Sequence, residues 1–258
     1  MTLPTLDPVL FLLVLARIAG LVLAAPLFGH VALPKRVRIG LAVAFAVALA
    51  PGVPALPSGA PTDLLTLAAL VGIESALGVM IGLVAQLVFA GIQLGGQIAG
   101  ISMGFGMASL VDPQTHAQET IVAHWQQLVA LLVFLVLDAH HLLLRTLMAS
   151  FRTAPPGAVA LSGEGFRVLV SLAGELFELG ARVAAPVVLA ILLTNAALGV
   201  LARMVPQLNV FVVGFPVNVG VGLMVIGAAL PFTLRLLGER FGALEPMLGR
   251  VVWGVTHG

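Results

Sequence analysis

Four groups of residues carry side chains that could do chemistry. The stretch GISMG, residues 100–104, matches the G-x-S-x-G pattern that exposes a serine nucleophile on a sharp strand-to-helix turn. Here Ser102 lies in a glycine-rich helical run, and so loose a pattern recurs by chance where glycine is abundant. Asp138, His140 and His141 are metal-ligand types, but adjacent histidines on a helix point in different directions, and the chain has no H-E-x-x-H pair. They read better as caps of an apolar run or contacts to a partner. Glu178 precedes Arg182 by one helical turn, the favourable order for an ion pair, with Glu175 beside them. Ionisable residues inside apolar runs are functional candidates by default; the plainer reading is mutual neutralisation within a packed helix. Glu74 and Arg17 stand alone and are expected to face protein or water. No catalytic, cofactor-binding or metal constellation is complete.

The setting of these residues is apolar. Of 258 residues, 60% are hydrophobic and 9% charged, with mean hydropathy +1.15, whereas soluble domains carry about 25% charged residues. Twelve Lys+Arg and eleven Asp+Glu cannot coat a soluble protein of this size, so the chain reads as an integral membrane protein. A net charge of +1, with only Lys35, Arg36 and Arg38 clustered, gives no reason to expect nucleic acid or an acidic substrate. The absence of cysteine excludes disulfides and thiolate chemistry. Residues 1–8 contain no Lys or Arg and Arg17 interrupts the first apolar run, so that run is expected to be retained rather than removed as a signal. Without a repeat or hydrophilic linker, 1–258 reads as a single membrane-embedded unit.

Six hydrophobic segments must position the candidates: residues 9–25, 39–50, 75–111, 121–137, 166–202 and 210–234. The second is short for a crossing of about 20 residues. The third, free of charge from Ser75 to Val111, would be about 55 Å long as one helix and must bend, break or leave the membrane. Pro186, Pro216 and Pro231 fall inside the last two segments and are expected to kink them. Six strict crossings would divide the basic residues between both sides, with Lys35, Arg36, Arg38 and Arg203 opposite Arg145, Arg152, Arg167, Arg235, Arg240 and Arg250. The charge rule for orientation then votes against itself, so one segment is re-entrant or the protein is not a simple bundle. The expected fold is all-α and polytopic, built of kinked, hairpin-like helices.

Within the third segment Gly96, Gly100, Gly104 and Ala108 recur every four residues, after Gly91 and Gly95. Such a stripe lets another backbone approach closely. Either it packs helices within this chain, or Gly104 and Gly106 let the segment open into a mobile loop that stops at the turn-prone Asp112 and Pro113. Met103, Phe105 and Met107 are bulky, adaptable side chains suited to filling a core or to blocking a narrow opening.

Four stretches in register resemble one family, the R component of the flagellar type III export gate (FliR) and its injectisome counterpart (SctT). They are RIAGLVLAAPLFGHVALPKRVRIGLA (17–42), QLGGQIAGISMGFGMASLVDPQT (93–115), LLVFLVLDAHHLLLRTLMASF (131–151) and VPQLNVFVVGFPVNVGVGL (205–223). The ARMVPQLNVFVVGFP and DAHHLLL wording favours the flagellar branch. The resemblance implies a non-enzymatic gate subunit, without cofactor, in the bacterial inner membrane at the flagellar basal body. One copy would join several copies of the P and Q components, the FlhB-type switch protein and the basal-body ring, with unfolded export substrates passing through. It also implies a helical, partly lifted-out hetero-oligomer, and a plug-like loop whose local equivalents are Gly104, Phe105, Gly106, Met107, Asp112 and Pro113, with Gly96 and Gly100 packing helices. Gln114, His116 and Gln118 make the loop more polar than the pattern, and the tail after Gly238 resembles the family loosely. The alternative is a secondary transporter binding ions through Glu74, Glu175, Glu178 and Arg182, although no internal repeat supports it.

Overall fold

The computed structural model describes residues 7–26, 34–56, 63–106, 119–158, 163–205 and 209–257. All regular structure among them is helical. The elements are α1 (Pro8–Ala24), α2 (Lys35–Leu49) with a 3-10 turn (Ala50–Gly52), α3 (Leu64–Met103), α4 (Ile121–Val136), α5 (Ala139–Thr153), α6 (Gly163–Met204), α7 (Val210–Gly242) and α8 (Leu244–His257).

Local chemistry sets several of these limits. Asp7 caps α1 by accepting from the Val9 amide at 2.9 Å, with Pro8 in the first turn where its missing N–H costs nothing. Asp63 accepts from the Thr66 amide at 3.2 Å, so α3 starts at Leu64, ahead of the charge-free run. Its 40 residues span about 60 Å, roughly twice a hydrocarbon core. The helix does not break before Met103, so its excess length is taken up by curvature or lies outside the lipid. Helices α6 and α7 continue through Pro186, Pro216 and Pro231. Asp138 interrupts α4 and α5 with a left-handed backbone, φ 52°.

Three helical stretches are long and apolar enough to cross a bilayer: Leu64–Met103, Gly163–Met204 and Val212–Val255. Helices α4 and α5 make a fourth when taken as one broken span, and α1 is apolar but shorter. The protein is thus an all-α polytopic membrane protein.

The helices gather into two compact units. The first takes residues 1–87, 134–173 and 241–258. In it α1 packs on α2 and α5 on α8, around Leu13, Ile18, Leu21, Leu77, Ile81, Leu143, Leu147 and Phe151, all buried. Helices α1 and α3 cross at backbone distance: a Cβ on Gly78 would sit 2.8 Å from the Arg17 carbonyl carbon and 3.0 Å from the Leu21 nitrogen. The second unit takes residues 88–133 and 174–240. Its core includes Ala99, Met103, Val122, Val187 and Ile191, with Phe105, Val221, Val225 and Ile226 packed against them.

Candidate functional site

In the second unit, α3 ends in a hydrogen-bonded stop. The Gly104 amide donates to the Ile101 carbonyl and the Phe105 amide to the Gly100 carbonyl, each at 3.0 Å. These are the two bonds of a Schellman cap, which requires a left-handed residue after the helix. Gly104, with φ 102°, supplies it where a side chain would be strained. Phe105 then packs on the core cluster and meets Phe215 edge-on, ring centroids 6.2 Å apart.

The chain comes back at Thr120, against the same turns of α3. The Thr120 amide donates to Gln97 Oε1 at 2.8 Å, and its hydroxyl donates to the Gly96 carbonyl at 3.3 Å. That hydroxyl also accepts from the Ala123 amide at 3.2 Å, capping α4. Two glycines admit this strand of contacts: a Cβ on Gly96 would lie 2.5 Å from Ala123 Cα, and one on Gly100 would lie 2.6 Å from Thr120 Cβ. Gly91 and Gly95 instead face α6, where a Cβ on Gly95 would lie 2.8 Å from the Gly180 carbonyl oxygen. The glycine stripe therefore serves two neighbours, α6 first and α4 next. Phe105 and Thr120, which flank 107–118, are both held on the turns of α3 around Gly100. Of the loop residues singled out by sequence, Gly104, Phe105 and Gly106 form this base, while Met107, Asp112 and Pro113 lie outside the described residues.

Among the described residues, one ion pair is fully buried, within the first unit. Arg17 Nε donates to Glu74 Oε2 at 2.6 Å, Nη1 to Ser150 Oγ at 3.1 Å and Nη2 to the Ala154 carbonyl at 2.9 Å. Glu74 Oε1 accepts from the Gly157 amide at 3.0 Å, and the Arg17 guanidinium lies over the Phe151 ring, 4.4 Å from its centroid. Both ionic side chains are fully buried, at 0% and 1% exposure. This corrects the expectation that Glu74 and Arg17 stand alone: each is the other's partner across 57 residues, because an unpaired charge here would cost several kcal/mol. Two lone opposite charges in separate apolar runs were the available signal.

Glu175, Glu178 and Arg182 form part of a second network. Arg182 pairs with Glu178 along α6, and Arg240 at the end of α7 reaches Glu175 at 2.8 Å and Glu178 at 3.8 Å. Arg240 was not anticipated, since its partners lie on another helix. Asn218 likewise donates to Asn195 Oδ1 at 2.9 Å, joining α7 to α6.

Ser102 occupies the last turn of α3 and donates to the Ile98 carbonyl at 2.8 Å. A helical serine bonded to its own backbone is not on a strand-to-helix turn, so the nucleophile-elbow geometry is absent there. His140 and His141 do not diverge as expected: their rings lie 4.1 Å apart, and His141 Nδ1 is 3.3 Å from Asp138 Oδ1. They sit in the first turn of α5, where no preceding turn separates the rings. Their ligand atoms come within 4.8 Å of one another, yet His141 and Asp138 are mostly exposed, and the buried Nδ1 of His140 has no hydrogen-bond partner among the described residues.

Residues 9–244 match the family model described as bacterial export proteins, family 1. The flagellar biosynthetic protein FliR of Escherichia coli K12 is 33% identical over 241 residues, covering 92% of each chain. That of Pectobacterium carotovorum subsp. carotovorum is 35% identical over 238 residues, 90% of each. That of Bacillus subtilis 168 is 35% identical over 219 residues, 84% of each.

Proposed function

Because this chain belongs to the FliR family of bacterial export proteins, we propose that it is a structural and gating subunit of the flagellar type III export apparatus. It forms part of the channel for unfolded flagellar proteins and helps to close it. The observation that carries the gating half is the loop base: a segment of twelve residues, 107–118, is held at both ends beside Gly100, by a glycine-stopped helix and by the Thr120 cap. The residues that flank 107–118 are thus fixed on the same turns of α3, which supports a part for the intervening segment at the channel.

The partners follow from the same reading: the P and Q components, several copies each, the FlhB-type switch protein and the ring, in the inner membrane at the basal body. The apolar side chains Leu189, Leu192, Phe215, Leu223, Met224 and Phe232 are exposed on α6 and α7. In a membrane complex they need lipid or other subunits beside them. The role is non-enzymatic. Glu175, Glu178 and Arg182 of α6 are paired with each other and with Arg240, which favours a structural part for them over transport of a small ion. Purification of a tagged copy in mild detergent tests the assembly. One copy recovered with several copies each of small helical membrane proteins is expected; a lone homo-oligomer that binds a small solute would overturn the reading.

A further inference from the structure

One face of α5 is spent on the buried Arg17 hub, through Ser150 and Phe151. The opposite face lines a groove of about 530 Å³ in the first unit, with His141, Leu144, Arg145, Met148 and Arg152 from α5 and Leu49 from the end of α2. Its walls are mostly aliphatic. Arg145 and Arg152 stand two turns apart on one side, about 10 Å along the axis, and neither has an acidic or hydrogen-bonding partner among the described residues. Asp138 is engaged with His141 at one end, so the positive charge is concentrated further along the groove.

We propose that this groove is a binding site for an anionic phospholipid, with Arg145 and Arg152 holding the phosphate and Leu49, Leu144 and Met148 lying against the upper acyl chains. Guanidinium groups bind phosphate through two parallel hydrogen bonds, and basic pockets between membrane helices suit anionic headgroups. An aliphatic wall next to two unpaired arginines is complementary to an amphiphile, and a free anion would leave that wall unused. The volume corresponds to about one turn of a helix 10–12 Å across, too little for a partner helix to seat in, and ample for a headgroup with the first part of its chains. The site is independent of the export role.

Electron spin resonance on the full chain in phosphatidylcholine bilayers, carrying a small amount of chain-labelled phosphatidylglycerol or phosphatidylcholine, measures it. Wild type should immobilise the glycerol lipid several-fold more strongly, with about a fivefold contribution per arginine as the upper bound. Arg145→Gln with Arg152→Gln should bring the preference close to one. Arg203→Gln with Arg235→Gln, which removes equal charge from other exposed sites, should leave it unchanged. Met148→Trp, which fills the groove and keeps both arginines, should lower binding of the labelled glycerol lipid. The proposal is overturned if the control pair acts as strongly as the groove pair, or if the preference survives loss of both arginines. It is also overturned if excess inorganic phosphate alone displaces the lipid fully, or if a photoreactive residue at position 148 captures protein in cells and no lipid.

Discussion

Breaking the buried pair of Arg17 and Glu74 should destabilise the first unit far more than any other charge change. Arg17→Met leaves the Glu74 carboxylate with only the Gly157 amide, and Glu74→Leu leaves a guanidinium, which proteins do not deprotonate, with Ser150, the Ala154 carbonyl and the Phe151 face. Each orphans a charge with essentially no solvent access, a loss of about 3–5 kcal/mol. The double variant Arg17→Met with Glu74→Leu removes both charges. It leaves the Ala154 carbonyl, the Ser150 hydroxyl and the Gly157 amide short of a partner, and the hydroxyl still donates to Leu147. Each such neutral group costs about 1–3 kcal/mol, and each single variant already orphans some of them besides its buried charge, so the double variant should be more stable than either single one. Denaturant unfolding of the purified protein in detergent, analysed as a double-mutant cycle, measures the coupling. Single variants each within about 1 kcal/mol of wild type, or strictly additive effects, would refute the reasoning.

Other substitutions have graded outcomes. Gly100→Val places side-chain atoms where Thr120 sits and should cost about 1–3 kcal/mol by overpacking, read in the same unfolding assay and as loss of assembled complex. Gly104→Val combines the strain of φ 102°, about 1–2 kcal/mol, with a clash at Phe215, and should destabilise even with 107–118 intact. Arg240→Gln, in a network open to solvent at Glu178 and Arg182, should change stability by no more than about 1 kcal/mol. Ser102→Ala should leave export at wild-type level in a motility or secretion assay, since the hydroxyl bonds only within its own helix.

Much of the helical layout was legible because hydropathy runs and capping residues agree. Each of the six segments contains a helix, and Gly104 marks the end of α3 by the backbone demand that made it conspicuous as a residue. What escaped the sequence reading depends on distance. The Arg17 partner lies on another helix, and so does Arg240, neither of which any local spacing announces. Helix α8 was missed for a different reason. Leu244, Met247, Leu248, Val251, Val252 and Val255 recur with helical period and are all buried, yet Glu245 and Arg250 hold the tail below the hydropathy of a span. Its signal was amphipathic periodicity. Likewise, the four-residue glycine spacing announced close packing without telling which neighbour each glycine meets. Adjacent positions such as Gly95 and Gly96 point about 100° apart on a helix, so they serve α6 and α4 separately.

The gating role is tested most directly by removing residues 107–115, which leaves the Gly104 stop and the Thr120 cap untouched. Ion permeability is then measured in cells whose export complex is shown to be fully assembled. A raised leak of small ions, absent from cells lacking the complex, is expected. Permeability equal to that of intact cells, with the shortened chain present in the assembled complex, would contradict it.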